Sequence, residues 1–155
     1  CRDCQAGKLA DFPIEQGEAV LVHPVNDEPL DYIRWDGVTG RALPLPSNRR
    51  ASESVRVYDL DRALLPAERK SKLHRVRALL VVCARGAPVP ADAIDQLRDE
   101  FDKERPCLGV VREFLLSPRG HQERVLLRSA IRAVPDILSW VRPWLRPPPG
   151  VAWPV

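Results

Sequence analysis

The second half of the chain repeats apolar residues with the period of an α-helix. Between positions 73 and 83 the apolar residues recur at steps of three and four, as Leu73, Val76, Leu80 and Cys83. These steps place side chains on one face of a helix. Pro66 suits the first turn of such a helix, where proline is tolerated. The pattern therefore predicts a helix over residues 65–84.

Four more segments show the same period. Pro90 is expected to open a helix that ends near Pro106, with Ile94, Leu97 and Phe101 on one face. Three further helices are predicted in the segments CLGVVREFLL, QERVLLRSAIRAV and PDILSWVRPWL.

The last of these segments is rich in tryptophan. It places Trp140 and Trp144 on one stripe, and Pro143 is expected to kink or end the helix. We expect Trp140 to lie in the core and Trp153 to lie at an interface with a partner, while Trp144 fits either place.

Two stretches near the start of the chain favour β-structure. EAVLVHP predicts a short strand. LDYIRWDGVTGRALPL predicts a hairpin, because Tyr32, Ile33 and Trp35 favour strands and DGVTG contains turn-forming residues. PSNRRAS predicts a loop, after which Ser52 is placed to cap a short helix that ends at Tyr58. The predicted fold class is α+β, predominantly helical.

Composition indicates one globular domain. The chain has 155 residues, of which 45% are hydrophobic and 29% are charged, and its net charge is +3. No apolar run reaches the ~18 residues that a membrane span needs, so we predict a cytoplasmic protein without a membrane partner. The sequence contains no methionine, which leads us to expect that it begins within a longer sequence or after processing.

Two of the four cysteines lie close together at the start of the chain. The pair Cys1 and Cys4 fits half of a zinc site, a redox dithiol or a disulfide, and a reduced pair without a ligand is the alternative. A structural zinc site needs two more ligands, and Cys83 and Cys107 are expected to be buried helical thiols instead. No strand precedes the pair, which argues against a thioredoxin-like site.

A basic segment and an acidic turn are the other candidate sites. The segment ERKSKLHRVR fits a phosphate-contacting face, formed by Arg69, Lys70, Lys72, Arg75 and Arg77. The alternative is the solvated side of an amphipathic helix. Asp27 and Glu28 beside His23 suggest a metal site, but the turn-forming sequence NDEP explains the two carboxylates without one.

The order of several motifs resembles part of an HNH endonuclease. CRDCQAGKLADFP resembles the end of an HNH core, in which C-x-x-C-N-x-x-K is followed by Phe-Pro. LVHPVNDEPLDYIRWDGVTGRALP and SVRVYDLDRALLPAERK are similar to later landmarks of one HNH subfamily, namely a hairpin with a glycine and an apolar helix that ends in Leu-Asn-Arg. This subfamily includes the nucleases of bacterial anti-phage systems such as Septu and of retron-associated relatives. The resemblance covers residues 1–85.

The resemblance implies roles for individual residues. Cys1 and Cys4 would be the second cysteine pair of a structural zinc site, Gln5 would occupy the place of a metal-binding Asn, and Lys8 would be the basic residue that follows. Asp61 stands where the subfamily has the Asn of Leu-Asn-Arg. The intact protein would hold structural zinc and a catalytic Mg²⁺ or Mn²⁺.

The resemblance also implies what this chain lacks. The first cysteine pair and the hairpin with the catalytic His would precede Cys1, and His23, His74 and His121 match none of the positions of the base. We therefore assign no catalytic residue, and we expect this chain alone to bind no metal and to be inactive. Its expected parts are the edge of the HNH core with the zinc knuckle (1–18), a strand and hairpin region (19–50), a helical domain (51–146) and a proline-rich tail (147–155).

Two functions follow from these observations. The first is the C-terminal portion of a metal-dependent HNH endonuclease in anti-phage defence, with DNA as its substrate and a P-loop ATPase as its partner protein. The second is a non-catalytic helical interaction module, which binds a partner protein such as a defence ATPase.

Overall fold

The computed structural model describes residues 14–15, 18–23, 26–86, 88–102, 105–145 and 153. The chain divides into two compact units, an N-terminal unit of Cys1–Lys70 and a C-terminal unit of Ser71–Val155. The described residues are mostly helical and contain two small antiparallel sheets, which confirms the expected α+β, predominantly helical class.

The N-terminal unit contains both sheets. Strands β1 (Ile14–Glu15) and β2 (Glu18–Ala19) form one pair, and β3 (Ile33–Trp35) and β4 (Ala42–Pro44) form the other, after a 3-10 helix at Pro29–Asp31. In the second pair Ile33 lies opposite Pro44 and Trp35 lies opposite Ala42. The predicted hairpin is therefore confirmed.

The predicted strand over EAVLVHP is shorter than expected. Only Glu18–Ala19 is a strand, and Leu21 and Val22 are buried outside regular structure. The Val22 backbone N–H donates to the hydroxyl of Ser54 at 2.8 Å. A side chain at this point thus provides the hydrogen bond that a neighbouring strand would otherwise provide.

A small core lies beneath the hairpin. The buried residues that form this cluster are Leu21, Ile33, Ala42, Tyr58 and Leu60. Tyr32, Trp35, Val55 and Val57 pack against them. The core therefore joins the hairpin to the chain segment that follows the first α-helix.

The first α-helix begins earlier than expected. Helix α1 spans Arg49–Val57, and its N-cap is Asn48, whose side chain accepts the Ala51 N–H at 3.0 Å. The prediction that Ser52 caps the helix is wrong, since Ser52 lies inside α1 and its hydroxyl donates to the Asn48 carbonyl at 3.3 Å. Asn and Ser are both strong N-cap residues, and the segment PSNRRAS contains both types.

Five more helices follow. They are α2 (Leu65–Ala84), α3 (Ala91–Glu100), α4 (Leu108–Leu116), α5 (Gly120–Ala133) and α6 (Ile137–Leu145). Helix α2 has the predicted bounds, and the division between the two units falls within it. Helix α3 follows Pro90 as expected but ends at Glu100, before the predicted end near Pro106. Helix α6 continues through Pro143 for two residues.

The core of the C-terminal unit is apolar. The side chains of the α2 stripe, Leu73, Val76, Leu80 and Cys83, are all at most 1% exposed. Other buried residues of this unit are Leu97, Phe101, Val111, Leu115, Leu127, Ile137 and Val141. Among the described residues, no helix is both long enough and apolar enough to cross a membrane.

Candidate functional site

The residues predicted to bind metal lie outside the described part of the chain. Cys1, Cys4 and Gln5 all precede Ile14, and so does Lys8 of the predicted nucleic-acid contact. Their roles therefore stay predictions. Within the residues that the structure describes, no three His, Cys, Asp or Glu side chains come together as a metal site.

Arg69, the first of the predicted phosphate-contacting residues in α2, is buried. Only 5% of it is exposed. Its guanidinium donates to the carbonyl of Leu60 at 2.5 Å and to that of Gly40 at 3.1 Å, and it lies 4.2 Å from the centre of the Trp35 ring. Arg69 thus holds the hairpin to the segment after α1, a contact that the sequence prediction did not include.

Asp61 completes this contact. One of its carboxylate oxygens accepts the Arg69 guanidinium at 3.2 Å and the Ala42 backbone N–H at 2.8 Å. The neighbouring outward position of β4 is Pro44, which has no N–H to donate. The Asp61 carboxylate therefore accepts the outward N–H that the edge of β4 would otherwise leave without a partner at Ala42.

Lys72 and Arg75 share one carboxylate in the C-terminal unit. Lys72 is 3% exposed, and its Nζ lies 2.6 Å from Glu100 Oε2. Arg75 Nε lies 2.6 Å from Glu100 Oε1. Partial burial raises the pKa of Glu100, but hydrogen bonds and charge from Arg75 and Lys72 outweigh it and hold the pKa below its ordinary value.

Four of the predicted residues of α2 therefore lie in different environments. Arg69 and Lys72 are buried and make internal contacts, whereas Lys70 and Arg75 are exposed. Helical spacing contained a signal for this, because Arg69 lies four residues before Leu73 and so falls on the apolar stripe. Contact with nucleic acid stays a prediction for all four.

Hydrogen bonds join His23 to Asn26 and Asp27. The His23 backbone N–H donates to Asp27 Oδ2 at 2.6 Å, and the Asn26 N–H donates to His23 Nδ1 at 3.0 Å. Glu28 caps the 3-10 helix by accepting the Leu30 N–H at 3.3 Å. These bonds use the two carboxylates in the way that the turn interpretation expects.

The pKa of Asp27 is lowered. The hydrogen bond from the His23 backbone contributes most, partial burial opposes it, and the charge of Arg50 lowers the pKa further. Arg50 Nη2 lies 2.6 Å from Asp27 Oδ2 and also donates to the Leu21 carbonyl at 2.9 Å. Sequence analysis missed Arg50 because it placed this residue in a loop.

Tyr58 makes a similar contact. Its hydroxyl donates to the buried Val22 carbonyl at 3.0 Å. Burial raises the pKa of Tyr58, and the charge of Asp27 raises it further. Together with Arg50, this side chain binds the backbone of the irregular segment that contains Leu21 and Val22.

The tryptophans of the C-terminal unit are half-buried. The Trp153 indole donates to the Leu115 carbonyl in the last turn of α4, at 2.8 Å. Trp144 lies with its ring centre 6.3 Å from that of Phe101, and its buried Nε1 has no hydrogen-bond partner among the described residues. Trp140 is less buried than the predicted core position required. An interface role for Trp153 stays a prediction.

No protein-family model, curated protein or solved structure matches this chain.

Proposed function

We propose that this chain belongs to a metal-dependent DNA endonuclease of the HNH type, acting in prokaryotic anti-phage defence, and that its N-terminal unit is the scaffold beside the metal core. One observation carries the proposal. The two sequence segments that resemble HNH landmarks after the cysteine pair, residues 21–44 and 54–70, are joined by Asp61 and Arg69. Segments that form one module are expected to be joined in this way.

The glycine of the hairpin supports the same grouping. Gly40 has a φ of +75°, a conformation that other residues rarely adopt. A Cβ atom at this position would lie 2.0 Å from the Pro66 carbonyl oxygen. The close approach of the second segment therefore requires glycine in the first, which is the residue that the HNH landmark has in its hairpin.

In this proposal the residues near the start of the chain supply the metal chemistry. Cys1 and Cys4 would bind structural zinc together with the first cysteine pair of the motif. Gln5 and Lys8 would face the catalytic ion and the DNA. A divalent ion at such a site stabilises negative charge on the phosphate and the leaving oxygen. No residue of this chain is assigned as the general base.

A nuclease assay tests the proposal. The protein expressed from its complete reading frame should cleave plasmid DNA with Mg²⁺ or Mn²⁺, and Gln5→Ala should abolish cleavage. Gln96→Ala, an exposed glutamine of α3, is the matched control and should retain activity. The 155-residue chain alone should be inactive, since loss of a general base slows a reaction by ~10² to 10⁴.

Two results would contradict the proposal. The first is a complete protein that leaves plasmid DNA intact with either metal. The second is an unchanged zinc content, measured by mass spectrometry, after Cys1→Ser and Cys4→Ser are combined. Cys107→Ser is the control for loss of a thiol elsewhere.

A second candidate function is that of an interaction module for a P-loop ATPase. Val38 and Leu64 are 65% and 71% exposed, and each lies two residues from the contact between Gly40 and Pro66. Large exposed apolar side chains are typical of surfaces that bind another protein. Val38→Asp with Leu64→Asp should weaken binding to a P-loop ATPase partner. Val125→Asp, an exposed valine of α5, should leave that binding unchanged.

A further inference from the structure

The exposed face of helix α5 carries arginines at intervals of four residues. Arg124, Arg128 and Arg132 are all exposed. In an α-helix, side chains four residues apart lie on nearly the same side, and eight residues rise about 12 Å. The three arginines therefore form one line along the helix, and we call this surface the basic face.

The rest of α5 is turned toward the protein. Leu127 and Ala130 are fully buried, and Ile131 is nearly so. Glu123, the one carboxylate in α5, forms an ion pair with Arg77 and accepts the Arg119 backbone N–H. It is engaged by these two partners, so α5 itself contributes no free carboxylate to the basic face.

Seven arginines in other described parts of the chain form ion pairs with carboxylates. Such ion pairs are formed by Arg49, Arg50, Arg56, Arg69, Arg75, Arg77 and Arg105. Within the described residues, neither Arg124 nor Arg132 forms an ion pair. Like charges four residues apart weaken a helix, and a bound anion would relieve their repulsion.

The composition of the basic face selects among anionic partners. It has no Trp, Tyr or Phe on which the bases of a single strand could stack. Its one large apolar residue is Val125. A helix that lies on a membrane surface exposes more apolar side chains than this. A duplex offers a phosphate about every 3.4 Å along each strand, so a line of arginines about 12 Å long can reach several of them.

We propose that the basic face binds the phosphate backbone of a nucleic-acid duplex. The proposal rests on the charges of α5 and does not depend on nuclease activity. It also differs from the contact predicted in α2, where Arg69 and Lys72 are buried. Because phosphate contacts carry no sequence information, binding through this face should be independent of base sequence.

Salt-dependent binding tests the proposal. Fluorescence anisotropy should be measured with a DNA duplex between about 50 and 200 mM salt, where each phosphate contact contributes roughly 0.9 to the slope of log affinity against log salt. Changing Arg124, Arg128 and Arg132 together to Gln should flatten the slope by roughly 2 to 3. The same three positions changed to Lys should retain most of the slope, because the charges remain.

A matched control separates the face from net charge. Arg85, Arg98 and Arg142 are exposed arginines of the same unit, and changing all three to Gln removes the same charge. This control should keep the slope of the wild-type protein. Circular dichroism should show that both triple variants remain helical. If the α5 Gln variant fails to fold, the single substitutions of Arg124 and Arg132, each expected to lower the slope by roughly 0.9, provide the test.

Three outcomes would overturn the proposal. An equal loss of binding in both triple variants would assign the effect to net charge. Binding of the wild-type protein to phosphatidylserine vesicles but not to a duplex would assign the face to a membrane surface. Self-association that the α5 Gln variant abolishes, seen by light scattering without duplex binding, would assign it to a second copy. In that last case the basic face would bind the exposed acidic side chains of α3 in the second copy, which are Asp92, Asp95 and Asp99.

Discussion

The two units of the chain are stabilised by different kinds of contact. In the N-terminal unit, side chains bind backbone groups: Arg50 binds the Leu21 carbonyl, Arg69 binds the Leu60 carbonyl, and Tyr58 binds the Val22 carbonyl. In the C-terminal unit, the helices bury apolar faces against one another, and ion pairs such as that of Lys72 with Glu100 join side chains of different helices. Side chain-to-backbone bonds such as that of Trp153 with Leu115 add to this apolar core.

The difference follows from the backbone of each unit. A helix satisfies its own peptide groups, so its side chains need only bury apolar surface. An irregular segment such as the one containing Leu21 and Val22 has buried peptide groups without neighbours in a sheet or helix. Those groups require polar side chains as partners. The N-terminal unit should therefore be more sensitive to the loss of a polar side chain than the C-terminal unit.

The largest effect should come from Arg69. Arg69→Met removes the donors for two buried carbonyls and the charged partner of Asp61, which keeps the Ala42 N–H. Removing one member of a buried ion pair destabilises by about 3–5 kcal/mol, and the 31% exposure of the Asp61 side chain places this pair at the low end of that range. We expect urea denaturation to show a loss of this size. Hydrogen exchange should rise first in peptides from residues 33–61.

Lys70→Met is the control, because Lys70 is exposed next to Arg69. It should change the free energy of unfolding by less than about 0.5 kcal/mol. If the two methionine variants were equally stable, the polar network would not be what holds the N-terminal unit together.

The corresponding test in the C-terminal unit removes apolar volume. Leu80 in α2 is fully buried, and Leu80→Ala should destabilise by about 2–5 kcal/mol through lost burial and the cavity that remains. Val81, the next residue, is 39% exposed, and Val81→Ala is the control. A loss after Leu80→Ala no larger than that after Val81→Ala, measured by urea denaturation, would show that this stripe does not form the core.

These contrasts explain which parts of the fold the sequence predicted. The period of Leu73, Val76 and Leu80 predicted α2, because buried side chains recur at every turn of a helix, and Pro66 indicated its first turn. The hairpin followed from strand-forming residues on both sides of a turn. The contacts of Arg50 and Arg69 were missed because side-chain to backbone bonds join residues far apart and have no period.

Helix ends were predicted less well for a local reason. Asn48 and Ser52 are both good caps, and the choice between them depends on which one faces the first free N–H groups. The candidate metal residues Cys1, Cys4 and Gln5 depend on resemblance alone. The basic face of α5 could have been found from sequence, since its arginines repeat every four residues.

A smaller effect is expected at the cap of α1. Asn48→Ala removes the acceptor for the Ala51 N–H and should destabilise by about 1 kcal/mol in thermal or urea denaturation. Ser52→Ala is the matched control, because the Ser52 hydroxyl only donates to a carbonyl at 3.3 Å. A larger loss of stability from Ser52→Ala than from Asn48→Ala would show that Ser52 caps the helix, as the sequence predicted.

The smallest effect should be a change in the response to acid. The pKa of Asp27 is lowered in the folded protein, chiefly by the His23 backbone N–H, with Arg50 adding its charge. Such a carboxylate stabilises the fold at pH values above its ordinary pKa of 3.8, and this contribution is lost as the pH falls through the lower folded value. Stability measured from pH 7 down into the acid range should therefore fall less steeply in Asp27→Asn than in the wild-type protein. Glu100 also has a lowered pKa, and it contributes equally to both proteins, so their difference isolates Asp27.

Arg50→Met should reduce the same acid-dependent difference without abolishing it, because the His23 N–H still donates to Asp27. Asp92→Asn, at an exposed position of α3, provides the matched control. If Asp27→Asn and the wild-type protein lost stability in parallel as the pH fell through about 4, the contact of His23 with Asp27 would not depend on the charge of Asp27. The contrast between the two units would then rest on uncharged hydrogen bonds alone.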